Sequence, residues 1–463
     1  MFKLYWLALL LPLMALGYQQ QLKNSKPNII YILADDLGYG DLGSYGQKKF
    51  STPGLDQLAA NGLRFTQHYA GSAVCAPSRC SLLTGMDQGH ADVRGNKSIG
   101  RGKGQYPLKD ETETLAELLQ RAGYVTGIIG KWGLGGPGTS STPYAKGFDF
   151  FYGYNDQGNA HHYYPHFLWR NTKKELIPEN QGGKRGLFSH DLFTQEAKAF
   201  IKENQSRPFF LYLPYTIPHA DIDVPENDRQ TYLGQFPETP YKGGHYYKQP
   251  TPKAAFAGMI QRMDRDIQSI NDLLQQLGLT ENTLVIFSSD NGPHNVGGGD
   301  PKFFNSSGGL RGIKRDPYEG GIRVPMIAKW PGTIAAGQET DHISTFYDVM
   351  PTLAELVGEK PKSRLNGSSF LSILKNPSKS SKKTYKYWEF HDRKRKWQAV
   401  RWGDWKGIRI CDKDGKEQRF ELFNLKTDPA EQNDIASQNP KVEKKIRKFM
   451  TKRVPSPVAD WSF

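Results

Sequence analysis

Asn28-Ile29-Ile30-Tyr31-Ile32-Leu33-Ala34-Asp35-Asp36 sets the architecture. Apart from Asn28 the run is apolar and rich in β-branched residues until it meets two carboxylates. A short apolar run without polar alternation is expected of a strand covered on both faces, as parallel strands are. The same grammar recurs: Val125 to Gly130 runs into Lys131, Phe209 to Pro214 towards His219, and Leu284 to Ser289 into Asp290-Asn291. Helical patterns lie between. Glu111 to Ala122 puts Leu115, Leu118, Leu119 and Ala122 on one face, with Gly123 as a stop, and Lys253 to Leu277 repeats the pattern. Strands alternating with helices predict an α/β core around a largely parallel sheet. Sites in such sheets form beyond the carboxyl ends of the strands, where polar residues here follow strand after strand.

The 463 residues, 37% hydrophobic and 23% charged, suffice for one large domain and a smaller one. Near residue 375 the composition shifts: Lys375 to Lys383 reads as a linker. Aromatic strands follow at Tyr385 to Phe390 and Gln398 to Trp402, then a helix over Pro440 to Arg453. We expect a main domain over 18–374 and a smaller one over 375–463, an antiparallel sheet plus one helix. Lys3, the apolar run Leu4 to Leu16 and Ala15-Leu16-Gly17 make residues 1–17 a signal peptide, too short to span a bilayer. Export to the periplasm or the medium, without a stable membrane anchor, is the expectation. The net charge of +14, densest at Lys379–Lys383 and Arg393–Lys396, reads as a solvated basic surface with no nucleic-acid partner. It favours an anionic substrate without choosing among anions. Cys75, Cys80 and Cys411 are an odd count, so one thiol at least needs a use other than pairing.

The chemistry concentrates in Cys75-Ala76-Pro77-Ser78-Arg79-Cys80-Ser81-Leu82-Leu83-Thr84-Gly85. Pro77 is tolerated in the first turn of a helix, which places Cys75 at a helix N-terminus where backbone N–H groups attract anions. From the residues alone, Cys75 is a candidate low-pKa thiolate. The segment also resembles the signature of the formylglycine-dependent (type I, arylsulfatase-like) sulfatases: Cys-x-Pro-Ser-Arg followed by Leu-Thr-Gly. The similarity extends to Asp35-Asp36, Gly130-Lys131-Trp132, Pro218-His219, Asp290-Asn291-Gly292, Tyr318-Glu319-Gly320-Gly321 and Asp348 to Leu353. Leu422 to Leu425 with Asp428-Pro429 continue it.

The resemblance implies an alkaline-phosphatase-like fold: a large mixed, mostly parallel sheet flanked by helices, with a smaller C-terminal antiparallel-sheet-plus-helix domain. It implies that Cys75 is converted to formylglycine by a maturation enzyme. Hydrated, that aldehyde carries two hydroxyls: one attacks sulfur and releases the substrate alcohol, and the other, deprotonated, expels sulfate. By resemblance, Asp35, Asp36, Asp290 and Asn291 bind a divalent cation with residue 75 completing the shell. Oxygen donors suit calcium, with magnesium second. Arg79 would hold the hydrate, Lys131 and Lys314 the sulfate oxygens, and His219 would contact sulfate as a general acid. One position departs: many relatives read Gly-Lys-Trp-His-Leu-Gly, whereas this chain has Gly133 where they carry histidine. That leaves the base of the sulfate-expelling step open, His294 and a water being the candidates.

The substrate readers expected are polar and aromatic. Asn159 to Asn171, with His161 and His162, is one candidate loop. His90 with Asp92, Arg94 and Asn96 is a second, and Trp388 to Arg393, including His391, a third. They suit a sulfated carbohydrate of galactose or N-acetylgalactosamine type. Three rivals use the same residues: a formylglycine-dependent phosphodiesterase or phosphonate monoester hydrolase, a non-catalytic binder of sulfated glycans, and a cysteine hydrolase pairing Cys75 with His219.

Overall fold

The computed structural model describes residues 26–100, 103–379, 385–392 and 394–463. The expected signal peptide, residues 380–383 of the expected linker and Arg393 lie outside the described residues. The strands along the main sheet and its flanking ribbon are β1 (Asn28–Ala34), β2 (Leu63–Tyr69), β3 (Ser98–Gly100), β4 (Gly104–Gln105), β5 (Val125–Lys131) and β6 (Phe150–Tyr154). They continue as β7 (Phe167–Arg170), β8 (Lys173–Leu176), β9 (Phe209–Pro214), β10 (Thr283–Ser289), β11 (Arg323–Lys329), β12 (Gln338–Thr340) and β13 (Ser344–Thr345). Near the C-terminus come β14 (Tyr385–His391), β15 (Arg395–Trp402), β16 (Trp405–Asp412) and β17 (Glu417–Asn424).

Eleven strands form one sheet in the order β12-β2-β11-β10-β1-β9-β5-β6-β7-β8, with β13 also on β2. Its centre, β10-β1-β9-β5-β6, is parallel throughout. Antiparallel strands extend it on both sides. Every residue of β1 is buried, and its side chains alternate between two cores. Ile30, Ile32 and Ala34 pack against the helices Pro53–Ala60, Ser189–Glu203 and Pro252–Gln276. Ile29, Tyr31 and Leu33 belong to the opposite core with the helices Cys75–Thr84, Leu115–Arg121 and Val349–Val357. Burial on both faces explains why the sequence shows no polar alternation here.

The long helix forms within a residue of its expected bounds, at Pro252–Gln276. The helix expected from Glu111 starts instead at Leu115. Thr114 accepts from the Glu117 N–H and Glu117 Oε2 accepts from the Thr114 N–H, a capping box that fixes the first turn four residues later. The C-terminal helix, Pro440–Met450, is three residues shorter than expected.

β14-β15-β16-β17 make a separate antiparallel sheet. The Pro440–Met450 helix covers one face through Ile446 and Met450, against Tyr387, Val400 and Leu422. The other face presses Trp388, Phe390 and Trp397 onto Tyr69, Ala73 and Val74, the approach to Cys75. Trp388 Nε1 donates to Ala70 O at 2.8 Å, and Trp397 Nε1 to Arg315 O at 3.0 Å. The small sheet thus braces the two loops that deliver Cys75 and Lys314.

A buried network ties it down further. Glu389 accepts from Arg94 Nη1 at 3.1 Å, from Arg453 Nε at 2.7 Å and pairs with His391 Nε2 at 3.1 Å. Burial alone would raise this carboxyl, but His391, Arg453 and Arg94 hold it down at about 2. Its stabilisation is therefore present above the ordinary glutamate range near 4.3 and is lost as pH falls towards 2. Glu389→Ala strands the buried Arg94 and the partly buried Arg453 and should cost about 3–5 kcal/mol of unfolding free energy near neutral pH, read by urea titration. The same measurement near pH 3 should show a smaller difference between variant and wild type.

Candidate active site

Strand register assembles the site. Ala34 of β1 lies opposite Ser289 of β10, so Asp35 and Asp290 leave adjacent strand ends side by side, tied by the Asp290 N–H to Ala34 O at 3.1 Å. Asp36 sits at φ +65°, an uncommon conformation for a non-glycine residue, with its N–H held by Asp290 Oδ1 at 3.1 Å. This turn lets consecutive carboxylates find different partners. Lys131 at the end of β5 donates to Asp35 Oδ2 at 2.5 Å, and Lys314 Nζ to Asp36 Oδ2 at 2.6 Å.

Cys75 opens the helix Cys75–Thr84 after the extended Val74, as the position of Pro77 predicts. Asn96 Oδ1 accepts the Ala76 N–H at 3.0 Å, satisfying one of the orphan donors of that first turn. Cys75 Sγ lies 3.4 Å from Asp35 Oδ1, 3.8 Å from Asp36 Oδ1 and 3.4 Å from Lys314 Nζ. One turn on, Arg79 is wholly buried: its Nε and Nη2 reach Asp290 Oδ2 at 3.0 and 2.9 Å, and its Nη1 reaches Lys131 O at 2.8 Å.

Three buried carboxylates therefore face three buried or nearly buried cations. Burial would raise Asp35, yet Lys131, His219, Arg79 and Lys314 hold it well below the carboxylate range. Asp290 is pushed up by burial and by Asp35. Burial and the Asp290 and Asp35 carboxylates also raise the Cys75 thiol. The low-pKa thiolate that a helix N-terminus suggests is not what this pocket makes of an unmodified cysteine; the surrounding carboxylates outweigh the dipole. All three cysteines are buried and unpaired.

The donor set fits a metal ion. Ligand atoms of Asp35, Asp36, Cys75 and His219 all lie within 4.8 Å of one another. Asn291 donates through Nδ2 to Asp36 Oδ1 at 2.7 Å, leaving its buried Oδ1 without a partner. A buried acceptor so placed calls for an electrophile. The expected ligand Asp290 is turned towards Arg79 and the Asp36 N–H, while His219 Nε2 lies 3.3 Å from Asp36 Oδ2.

These groups floor a cavity of about 300 Å³ lined by Cys75, His161, His219, His294 and Lys314, among others. Lys131 does not reach it: its ammonium is fully buried behind Asp35. His161 stacks on His219 with centroids 4.6 Å apart, and burial lowers the pKa of both rings. His294 donates from Nε2 towards Pro218 O at 3.3 Å and accepts the Val296 N–H on Nδ1 at 3.2 Å. With both nitrogens engaged, it has no free lone pair for the base role considered for it.

Asn96, also expected as a reader, lines this cavity too, whereas His90, Arg94, His162 and His391 fall outside it. Arg94 is buried, donating to Glu389, Ala91 O and Val454 O, so it ties the small sheet to the segment that follows the Cys75–Thr84 helix. His90 pairs with Asp87 at 2.7 Å. His162 pairs with Asp221 at 2.7 Å in a neighbouring aromatic pocket with Tyr164 and Tyr247. His391 lines a larger, adjoining cleft.

Sequence reasoning missed Gln157. It lines the cavity, its Nε2 is buried and unpartnered, and a Cβ at Gly133 would lie 2.9 Å from that nitrogen. Gly133 has φ +73°, so a side chain there would be strained as well as crowded. Glycine at 133 and glutamine at 157 thus share one volume. No local pattern around residue 157 announces this; only the fold brings the two together.

Two family models match the chain: Sulfatase over residues 27–359, and the C-terminal model of N-sulphoglucosamine sulphohydrolase over 313–456. Human arylsulfatase A is 35% identical over 410 residues, covering 82% of this chain and 74% of that one. N-acetylgalactosamine-6-O-sulfatase of Bacteroides thetaiotaomicron is 30% identical over 501 residues, covering 92% and 93%. The crystal structure of Ps i-CgsB in complex with k-i-k-neocarrahexaose superposes with a TM-score of 0.77 at 27% identity, covering 92% of each chain. A family match across the whole main sheet, together with a buried Asp, Asp, Cys and His cluster at the strand ends, leads to one conclusion: the chain belongs to the sulfatase family and hydrolyses sulfate esters.

Proposed function

We propose that the chain removes sulfate from a sulfated carbohydrate of galactose or N-acetylgalactosamine type, using a formylglycine made from Cys75 by a maturation enzyme. The observation that carries this reading is the position of Cys75 Sγ, 3.4 Å from both Asp35 Oδ1 and Lys314 Nζ beneath an open cavity. A hydrated aldehyde there supplies the attacking hydroxyl and a second one through which the enzyme sheds sulfate. Asp35, Asp36, Asp290, Asn291 and residue 75 would hold a divalent cation, calcium in preference to magnesium, which would supply positive charge for sulfate and favour the ionised form of the attacking hydroxyl.

The side chains divide the remaining work. Asp290 and the Lys131 carbonyl fix Arg79, which orients residue 75 from one turn along the helix. Burial works against the charge on Lys314, but Asp36 keeps it protonated, so it binds sulfate oxygens and assists the departing alkoxide. His219, kept neutral by burial and Lys314, contacts sulfate. Lys131 keeps Asp35 ionised. Gln157 donates its free amide N–H to the bound oxyanion. Gln157→Ala should lower kcat/KM for an aryl sulfate about 10- to 100-fold with little change in melting temperature.

The sugar class is supported by relatives named N-acetylgalactosamine-6-O-sulfatase and N-acetylgalactosamine-6-sulfatase and by the k-i-k-neocarrahexaose in the Ps i-CgsB structure. His161 and Tyr246, whose rings lie 5.6 Å apart, offer aromatic and polar contacts to a sugar. We also propose that residues 1–17 direct export, and that 18–374 and 375–463 are the two domains.

The test is a panel of sulfated galactose and N-acetylgalactosamine saccharides beside paired aryl sulfate and aryl phosphate, before and after chelation. Sulfate release from the saccharides, lost with chelator and restored by calcium, is expected. Faster turnover of the aryl phosphate would replace this reading with the phosphodiesterase one.

A further inference from the structure

A second, larger cleft adjoins the catalytic cavity. It encloses about 940 Å³ between the Gly95–Ser98 segment, the β14–β15 hairpin of the small sheet and the C-terminal Ala459–Trp461 turn. Asn96 and Arg315 line both spaces, so the two meet at these residues. Five cationic side chains border the cleft, Lys97, Arg315, Lys394, Lys396 and Lys413, against two carboxylates.

Arg315 is built for the junction. It follows Lys314, sits at φ +77° and is exposed. Its backbone is clamped on both sides: its N–H donates to Ala73 O at 2.9 Å, and its carbonyl accepts the Trp397 indole. Non-glycine residues at positive φ persist where surrounding contacts over-determine them, and such positions cluster at functional sites. Among the described residues its guanidinium forms no ion pair. Lys394 presents an exposed side chain farther out; Lys413 is exposed as well, its ammonium shared with the equally exposed Asp414 at 3.0 Å, as Lys97 is with Asp460 at 2.8 Å. Across the cleft, His391 offers a buried Nδ1 with no partner beside the Trp461 turn.

We infer that this cleft holds a second anionic substituent, a sulfate or a uronate carboxylate, on a sugar neighbouring the one that loses sulfate. The inference rests on the carbohydrate reading above. A row of cations leading from a catalytic lysine matches a polyanionic chain, and complementary charge of this kind speeds and orients docking. The enzyme is thereby a reader of multiply charged oligosaccharides, with Arg315 placed to feel both the sugar in the cavity and its neighbour.

The experiment compares three substrates on the wild type and on Lys394→Ala/Lys413→Ala. They are 4-nitrophenyl sulfate, a galactan-type oligosaccharide sulfated on one sugar only, and the same oligosaccharide carrying a second sulfate or a uronate on the adjacent sugar. Wild type should prefer the doubly charged oligosaccharide, with a preference that shrinks as salt rises. The double variant should lose about tenfold of that preference through KM. A lesser fall with the uronate than with the second sulfate, or the reverse, identifies the group preferred.

Equal rates on singly and doubly charged oligosaccharides, or an equal fall on all substrates in the variant, would overturn the inference while leaving sulfatase activity on the aryl ester intact. Absence of turnover on every oligosaccharide, with aryl sulfate still cleaved, would instead overturn the carbohydrate reading. Arg315→Gly, which relieves the positive φ, guards against misfolding: its oligosaccharide preference should also drop.

Discussion

Cys75→Ser will perform at most one turnover, and Cys75→Ala none. Serine offers one hydroxyl where a hydrated aldehyde offers two. With Asp35 and Asp36 carboxylates and the Lys314 ammonium still in place, that hydroxyl can attack sulfur, but the resulting sulfate ester has no neighbouring hydroxyl to expel it. Mixing the serine variant with an aryl sulfate should give a burst no larger than the enzyme concentration, with sulfate retained on the peptide around residue 75. Steady-state turnover should fall by about four orders of magnitude or more, as it does when a nucleophile is removed from a machine whose parts act together. Sustained turnover by the serine variant would remove the need for the second hydroxyl. The fold should survive, because Cys75 Sγ makes no disulfide and its contacts are with the site itself.

Arg79→Ala should be the most damaging change to stability and activity together. Its guanidinium is fully buried and meets Asp290 through two nitrogens, with Asp35 a further 3.5 Å contact. Removing it leaves Asp290 buried beside Asp35 without a counterion of its own, since Lys131 is engaged by Asp35 and Lys314 by Asp36. Breaking a buried pair on one side costs about 3–5 kcal/mol, more than the pair contributes when intact. Chemical denaturation should register that loss. Arg79→Lys restores charge but cannot span Asp290 and the Lys131 carbonyl at once, so it should recover stability in part and activity little. If Arg79→Ala denatures like wild type, the charge balance assigned to the buried site is mistaken.

The strand-end carboxylates were readable because their physics is local. A run such as Asn28 to Ala34 cannot be a surface strand, and the residues just after it must sit at the sheet's carboxyl edge. The long helix was readable from its apolar spacing over many turns. Arg94 and His90 show where local reading fails. A cation followed by polar neighbours looks the same whether it meets a substrate or a buried glutamate, and the partner of Arg94 lies 295 residues away. The helix at Leu115 failed for a smaller reason: apolar spacing gives a face, whereas the capping box of Thr114 and Glu117 gives the start. Gln157 and Gly133 could be linked only through the fold, since a glycine's significance depends on which side chain fills the space beside it.

The C-terminal sheet was expected as a smaller unit, and its face turns out to serve the site. Trp388 and Trp397 hold the backbones of Ala70 and Arg315, the flanks of the two loops that carry Cys75 and Lys314. Rigid support of this kind keeps reacting groups in place without a cost at the moment of reaction.

Peptide mass spectrometry spanning residue 75, on enzyme purified from a host with sulfatase-maturing activity, examines the nucleophile itself. The expected mass is that of formylglycine in place of cysteine, at an occupancy that rises and falls with specific activity across preparations. Full activity in a preparation whose residue 75 is entirely unmodified thiol would show that the aldehyde is not the group that attacks sulfur.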